Sequence, residues 1–395
     1  MMSGEKIMKK IQQEGVVFAG GEEFPAMRSS TFPGICILPD GRWLCTFRSA
    51  PKKGATTGQQ VSFCWSDDEG RSWSEPAHPF PGIAVDGHPG LIRAGYVTVL
   101  QSGRLLAVLC WVDNSDPEIP FFNEKTEGLL DTRIFLADSE DNGSSWKNLR
   151  LLRDFPFSSV PVPITGPVLQ LPDGRLVLQF EVNKPYYETQ TWHHRSVLLY
   201  SDDGGATWPE CDVVSSDPEN RVFYWDQRPG VMADGSLLDT FWTYDNGTAA
   251  YLNIHTRASG RGDLRRSWGP LVDSGIPGQP AQPVVLRDGT VALVYVDRTD
   301  IPAIRLALSR DGGVSWISHG EPLYRHTQRK KQEYDKRSMN DAWSEMGKFS
   351  VGLPAAALCG NGDLLVVFYA GPDTDTTAIK WLRVPEAAME GEYAR

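Results

Sequence analysis

The chain has 395 residues, a formal net charge of -11, 41% hydrophobic and 23% charged residues, an ordinary balance for a folded globular protein. The acidic excess argues against nucleic acid and anionic membrane surfaces as partners, since both repel a negative protein. The content of 38 Gly, 28 Pro and 13 Trp excludes a coiled coil and points to many short strands joined by tight turns. Length alone suggests two or three domains, an expectation that the repeats below replace.

The first segment, MMSGEKIMKKIQQEG, has basic residues but no apolar stretch behind them. It does not read as a secretory signal, so a cytoplasmic location is expected. No run approaches the ~20 apolar residues of a membrane helix. A lone apolar strand, GVVFAG, follows at 15–20. The cysteines, Cys36, Cys45, Cys64, Cys110, Cys211 and Cys359, show no CxxC spacing and are expected to be free thiols.

Six hairpins then follow in order, from FPGICILPDGRWLCTF to PAAALCGNGDLLVVFY, with turn glycines at Gly41, Gly103, Gly174, Gly235, Gly289 and Gly362. A second repeat runs between them: SDDEGRSW at 66–73, SEDNGSSW at 139–146, SDDGGATW at 201–208 and SRDGGVSW at 309–316. All read S-x-D-x-G-x-[ST]-W, and the segment ending at Trp268 is a degenerate copy. In such a turn the Asp can bond backbone N–H groups two residues on, and the Trp packs beneath. Each unit is therefore strand, tight turn, strand, loop, strand, Trp-turn, strand. The sixth unit ends without a Trp-turn, and the strand at 15–20 can supply its missing outer strand. The expected fold is all-β: a six-bladed β-propeller of four-stranded antiparallel blades, one domain over 1–395, closed by the N-terminal strand. The charged segment 327–347 is expected to be helical, and 113–131 a long loop.

Both kinds of turn fall on one face of such a ring, so function is sought on the other. Its charged candidates are Arg28 and Arg48; Asp86, His88 and Arg93; Asp113 and Asp116; Glu181, Asn183 and Lys184. They continue with Asp226, Gln227 and Arg228; Asp245; and Asp297, Arg298 and Asp300. The run WDQRPG at 225–230 is the most pointed of these, because it sets an acid, an amide and a base at the channel mouth. The Asp of each Trp-turn is read as structural. No GxGxxG, P-loop, GxSxG or HExxH pattern occurs, the histidines lack metal-ligand spacing, and neither a metal nor an organic cofactor is expected.

The Trp-turns resemble the Asp-boxes, or BNR repeats, of the sialidase (neuraminidase) superfamily, and with the hairpins the resemblance covers nearly the whole chain. It implies a hydrolase that holds a substrate carboxylate with three Arg and attacks with a Tyr paired to a Glu, helped by an Asp acid. Position by position, the first Arg falls on Thr31, with Arg28 three residues earlier. The Glu falls on Asp226, the second Arg on Trp242, and the third near Ile301, with Arg298 close by. The loop SAPKKGATTGQQ carries no acid, and FSVGLPAAAL at the start of blade six carries no Tyr. The expected function is an exo-acting glycoside hydrolase on a small or terminal sugar, sialic acid or another acidic sugar. Asp226 would be its central carboxylate, and Asp86, Glu181, Asp245 or Asp297 the acid. Arg28, Arg48, Arg93, Gln227, Arg228 and Arg298 would bind substrate. A non-catalytic sugar-binding or interaction propeller and a polysaccharide lyase are the alternatives.

Overall fold

The computed structural model describes residues 13–260, 267–318, 320–327, 342 and 345–390. Six antiparallel sheets stand around a central axis as the blades of a β-propeller, with almost no helix. Each hairpin turns on a glycine at positive φ, as its tight turn requires, so the first two strands of every blade are neighbours in sequence and in space. The ring closes as the repeat count predicts: Gln13–Ala19 pairs antiparallel with Ala378–Val384, completing blade six around Leu364–Ala370 and Val351–Leu358.

Blades one and two depart from four strands. Blade one has three, Ser29–Ile37, Trp43–Ala50 and Gln60–Ser66, and its fourth is reduced to a Phe63–Ala77 bridge. The segment there, SEPAHPFPG, carries three prolines that cannot donate to a ladder. Blade two gains a fifth short strand, Ile83–Val85, beside His88–Val99. The insertion at 113–131 is not a bare loop, because Phe122–Asn123 and Gly128–Leu129 pair as a small hairpin. The expected helix at 327–347 lies mostly outside the described residues.

The apolar residues of facing blades fill all six interfaces, which is what makes the ring rigid. Each Trp of the repeated turns packs into the interface with the preceding blade. Trp73 lies between blades six and one, Trp146 between one and two, and Trp208 between two and three. Trp268 lies between three and four, and Trp316 between four and five. Between blades five and six, where no such turn exists, Met389 and Ala388 of the terminal helix Glu386–Glu390 join the core. The turns themselves close on their own residues. Ser66 Oγ accepts the Gly70 N–H at 2.7 Å, and Asp68 accepts the Ser72 N–H and hydroxyl at 2.9 and 2.7 Å. The Asp thus reaches four residues on rather than two, and Asp141, Asp203 and Asp311 repeat the pattern.

The innermost strands line an axial channel of about 460 Å³ whose walls include Tyr96 and Arg228. Toward their upper ends these strands lose regular pairing. Register slips between Thr31 and Gly34, Ile92 and Ala94, and Gly352 and Ala355. In blades four and five the strand breaks altogether, at 226–229 and 281–283. Phe32, Asp226 and Leu353 sit there at φ of 54°, 49° and 44°. Bulges re-aim side chains that a regular strand would send into the blade interfaces. No described helix is long and apolar enough to cross a membrane.

Candidate active site

Asp226 follows the strand Val222–Trp225 and turns out of the ladder at its positive φ. Its carboxylate is held from two sides. Arg228 Nη2 lies 2.7 Å from Oδ1, and Gln279 Nε2 donates to Oδ2 at 2.7 Å. Its own amide donates to Glu181 Oε1 in blade three. Glu181 Oε2 in turn lies 3.5 Å from Nε2 of the buried His194. Gln279 passes the connection to blade five, for its Oε1 accepts from Arg298 Nη1 at 2.9 Å. The remaining Arg298 nitrogens donate to the Val351 carbonyl, at 3.1 and 2.9 Å.

Two phenols flank this carboxylate. Tyr96 lies within hydrogen-bonding reach of Arg228 and Tyr369 within reach of Arg298, and the Asp226 charge acts on both. Burial pushes the Tyr96 hydroxyl up to about 12 and raises Tyr369 as well. Burial also raises Asp226 above its ordinary range, outweighing the opposing pull of Arg228, and Glu181 adds to the rise. A carboxyl in this position can hold and release a proton nearer neutrality than a surface Asp does.

A second cluster adjoins it. Gln59 Oε1 accepts from Arg48 Nε at 2.9 Å and from Arg93 Nη1 at 3.0 Å. Arg48 also donates to the Ala55 carbonyl at 2.7 Å and is fully buried. Arg93 sits over the Phe121 ring at 4.2 Å and the Phe32 ring at 5.5 Å, so the hairpin inserted in blade two helps to wall this side. Burial lowers the affinity of all three guanidinia, Arg48, Arg93 and Arg298, for their protons, with Arg93 brought to about 10.

The structure thus joins Asp226, Glu181, Arg228 and Arg298 in one network, with Arg48 and Arg93 in the adjoining one. The other sequence candidates are engaged elsewhere. Gln227 points back into the ring, donating to the Phe180 and Val197 carbonyls at 2.7 and 2.8 Å, so it ties blade four to blade three instead of facing the mouth. Asp245 is gripped by Arg221 through both oxygens and takes the Gly247 and Thr248 amides, contacts that hold it ionised at about 2 and unsuited to donate a proton. Asp297 pairs with Arg305 at 3.0 Å and caps its own turn through Thr299. Asp86 forms an exposed pair with Arg153, and the exposed Arg28 donates to Thr376.

Five members of the two clusters were not among the sequence candidates: Tyr369, Tyr96, Gln279, Gln59 and His194. Two substitutions of the expected pattern now have a geometric account. Thr31, where an Arg was expected, is the register partner of Arg48 on the next strand. Gly352, within the segment where a Tyr was expected, is the register partner of Tyr369. In both cases the neighbouring strand carries the residue type, Arg or Tyr, that the innermost strand lacks. A Cβ on Gly352 would collide with Arg298 Nη2 and lie 3.2 Å from the Tyr369 hydroxyl, so a glycine there makes room for both. Searching the ends of second strands for phenols as well as charges would have found Tyr369. Trp242, the other substituted position, stacks on Tyr251 at 4.7 Å and belongs to an aromatic wall. Among the described residues no group of three or more His, Cys, Asp or Glu is placed to hold a metal.

Residues 119–335 match the family model described as a BNR repeat-like domain. No curated protein matches the chain in sequence. Among solved structures, a protein of unknown function from Dyadobacter fermentans is similar at 17% identity and a TM-score of 0.67, over 94% of this chain and 97% of that one. A Hadza microbial sialidase aligns at 16% identity and 0.65, over 95% and 69%. An α-L-arabinanase from Penicillium chrysogenum aligns at 14% and 0.63, over 96% and 99%. At such identities the likeness establishes a shared fold, and it extends across propellers whose names point to different sugars.

Proposed function

The chain belongs to the BNR repeat-like domain family, and from that premise we propose that it is a glycoside hydrolase acting on a terminal sugar with an acidic group. The observation that carries this reading is the setting of Asp226: a carboxyl raised by burial, beside a second carboxylate, Glu181, and held between the Arg228 guanidinium and the Gln279 amide. Asp226 serves as the central proton-transfer group, taking a proton from the attacking nucleophile and returning it. Tyr369 and Tyr96 are the hydroxyls on which its charge acts. A Tyr in place of one carboxylate is a recognised departure from two-carboxylate glycosidase chemistry. The cations Arg228, Arg298 and Arg93 favour a substrate with a carboxylate, which a guanidinium binds in bidentate fashion.

One observation favours a second reading, a propeller that binds a carbohydrate without cleaving it. Asp226 keeps 18% of its side chain exposed, but Arg298 and Tyr369 are 6% and 2% exposed and already satisfied within the protein. A panel of chromogenic glycosides, including sialosides, uronides, arabinosides and neutral sugars, separates the two. Turnover that falls by ~10²–10⁴-fold in Asp226→Asn, with the melting temperature kept, supports the hydrolase. Equal rates in variant and wild type sink the assignment of Asp226, and no turnover of any glycoside favours the binding protein.

A further inference from the structure

Lys53 belongs to the segment between the second and third strands of blade one, yet its ammonium is spent on the approach to blade six. Nζ donates to the Met346 carbonyl at 2.7 Å and the Phe349 carbonyl at 2.5 Å, and lies 3.4 Å from the Tyr369 hydroxyl. It also sits over the rings of Phe349 and Tyr369, at 5.7 and 5.3 Å. The two carbonyls close a compact turn, in which the Lys348 N–H donates to Glu345 O and the Phe349 N–H to Met346 O. One side of this turn rests on the aromatic wall of blade four, where Met346 and Phe349 pack against Phe223, Trp225 and Trp242. On the other side Phe349 covers the Arg298 guanidinium, with Cζ 4.0 Å from the ring centre.

The segment therefore lies over the two groups that a ligand at Asp226 would have to meet next, Arg298 and Tyr369. Within the segment Glu345 acts on Tyr251 and Arg298, and the tie from another blade is one cation, Lys53. Charge-assisted hydrogen bonds to two carbonyls are strong, but this ammonium stands near Arg298, Arg48 and Arg93, with Asp375 as the carboxylate among its neighbours. Burial, and after it those guanidinia, depress its proton affinity well below the usual lysine range. The tie from blade one thus rests on a single side chain whose charge stands among others of its own sign.

We propose that Lys53 is a positioning residue that latches residues 345–349 over the site, so that access to Arg298 and Tyr369 requires the latch to open. Closed, Phe349 occupies the face of the guanidinium and Lys53 fixes the Tyr369 hydroxyl. Open, both become available to a ligand. The consequence for turnover rests on the hydrolase reading, whereas the latch itself does not.

Hydrogen exchange tests it on the intact protein. The Lys348 and Phe349 amides report the turn directly, and the strand Leu364–Ala370 serves as an internal control. In Lys53→Met these two amides are expected to exchange about tenfold faster or more, with the control strand unchanged. Phe349→Ala, which leaves Lys53 in place, is expected to give the same local rise. Exchange in Lys53→Met within twofold of wild type overturns the latch. So does an equal rise along Leu364–Ala370, which would mean that Lys53 simply supports blade six. On any glycoside found to turn over, Lys53→Met should change KM by a larger factor than kcat. If the glycoside panel yields no substrate, the exchange result still decides the latch.

Discussion

Asp203, on the lower face, and Asp226, at the upper mouth, sit in neighbouring blades and carry the same functional group. Asp203 finds every partner within four residues: the Ser201 and Thr207 hydroxyls and the Ala206 and Thr207 amides. It faces water, and the bonds from Thr207 hold its carboxyl down at about 2. Asp226 finds its partners in Arg228, in Gln279 of blade five and in Glu181 of blade three, and burial drives it the other way. A carboxylate satisfied by its own turn is fixed in one charge state and serves as a structural clip. A carboxylate whose partners come from several blades is raised by burial instead, the direction that the proposed proton transfer calls for.

The sharpest test of this contrast is to disturb the assembled site without touching its charges. Gly352→Ala adds one methyl group against Arg298 and Tyr369. It should lower kcat/KM on the order of 100-fold while the melting temperature shifts little. A variant with activity within twofold of wild type would show that the mouth tolerates misplacement and would break the contrast.

Asp203→Ala tests the other side. Losing a carboxylate that caps several turn donors should reduce stability by roughly 1–2 kcal/mol in denaturant titration, with catalysis unchanged. Its pH dependence has a definite sign. The folded-state value lies below the ordinary carboxylate value of 3.8, so the contribution is present above that value and is lost as pH falls toward about 2. The gap between wild type and variant should therefore close in that window. A loss of activity exceeding the loss of stability would mean that the lower face takes part in function.

The smallest expected effect comes from Asp239, a fully buried carboxyl in the strand Leu237–Asp245 whose value burial raises well above 3.8. Here the sign reverses. The folded protein binds the proton more tightly than the unfolded chain, so stability is greatest below the unfolded value and declines as pH rises through the folded one. Asp239→Asn should raise the melting temperature at pH 7 by roughly 1–3 °C, and the gain should vanish near pH 4. A variant less stable than wild type at pH 7 would show that the ionised carboxylate supports the blade.

Much of the fold was legible because it is written in short spans. Turn glycines, the Asp and Ser of the repeated turns, and the alternation of the strands all act within about eight residues, and their repetition makes them conspicuous. Ring closure was legible too, since one strand was missing at the end and one was spare at the start. The site was legible in part. Asp226, Arg228 and Arg298 stand out as charges at strand ends, but the same criterion selected Asp245 and Asp297, which Arg221 and Arg305 neutralise. Nothing local in Gln59 marks it as the link between two guanidinia, or in Gln279 as the link between a guanidinium and a carboxylate.

The sequence by itself determined the repeat, the turns and the number of blades, because each rests on contacts between residues close in the chain; it also determined the way the ring shuts, because the last unit lacks one strand and the first has one to spare. The tertiary structure decided which carboxylate is buried and which is clipped, that Arg48 and Tyr369 stand opposite Thr31 and Gly352, and that Lys53 reaches across to blade six. Those choices depend on bulges that re-aim side chains and on contacts between blades, where charge, burial and distance are set by residues far apart in the chain.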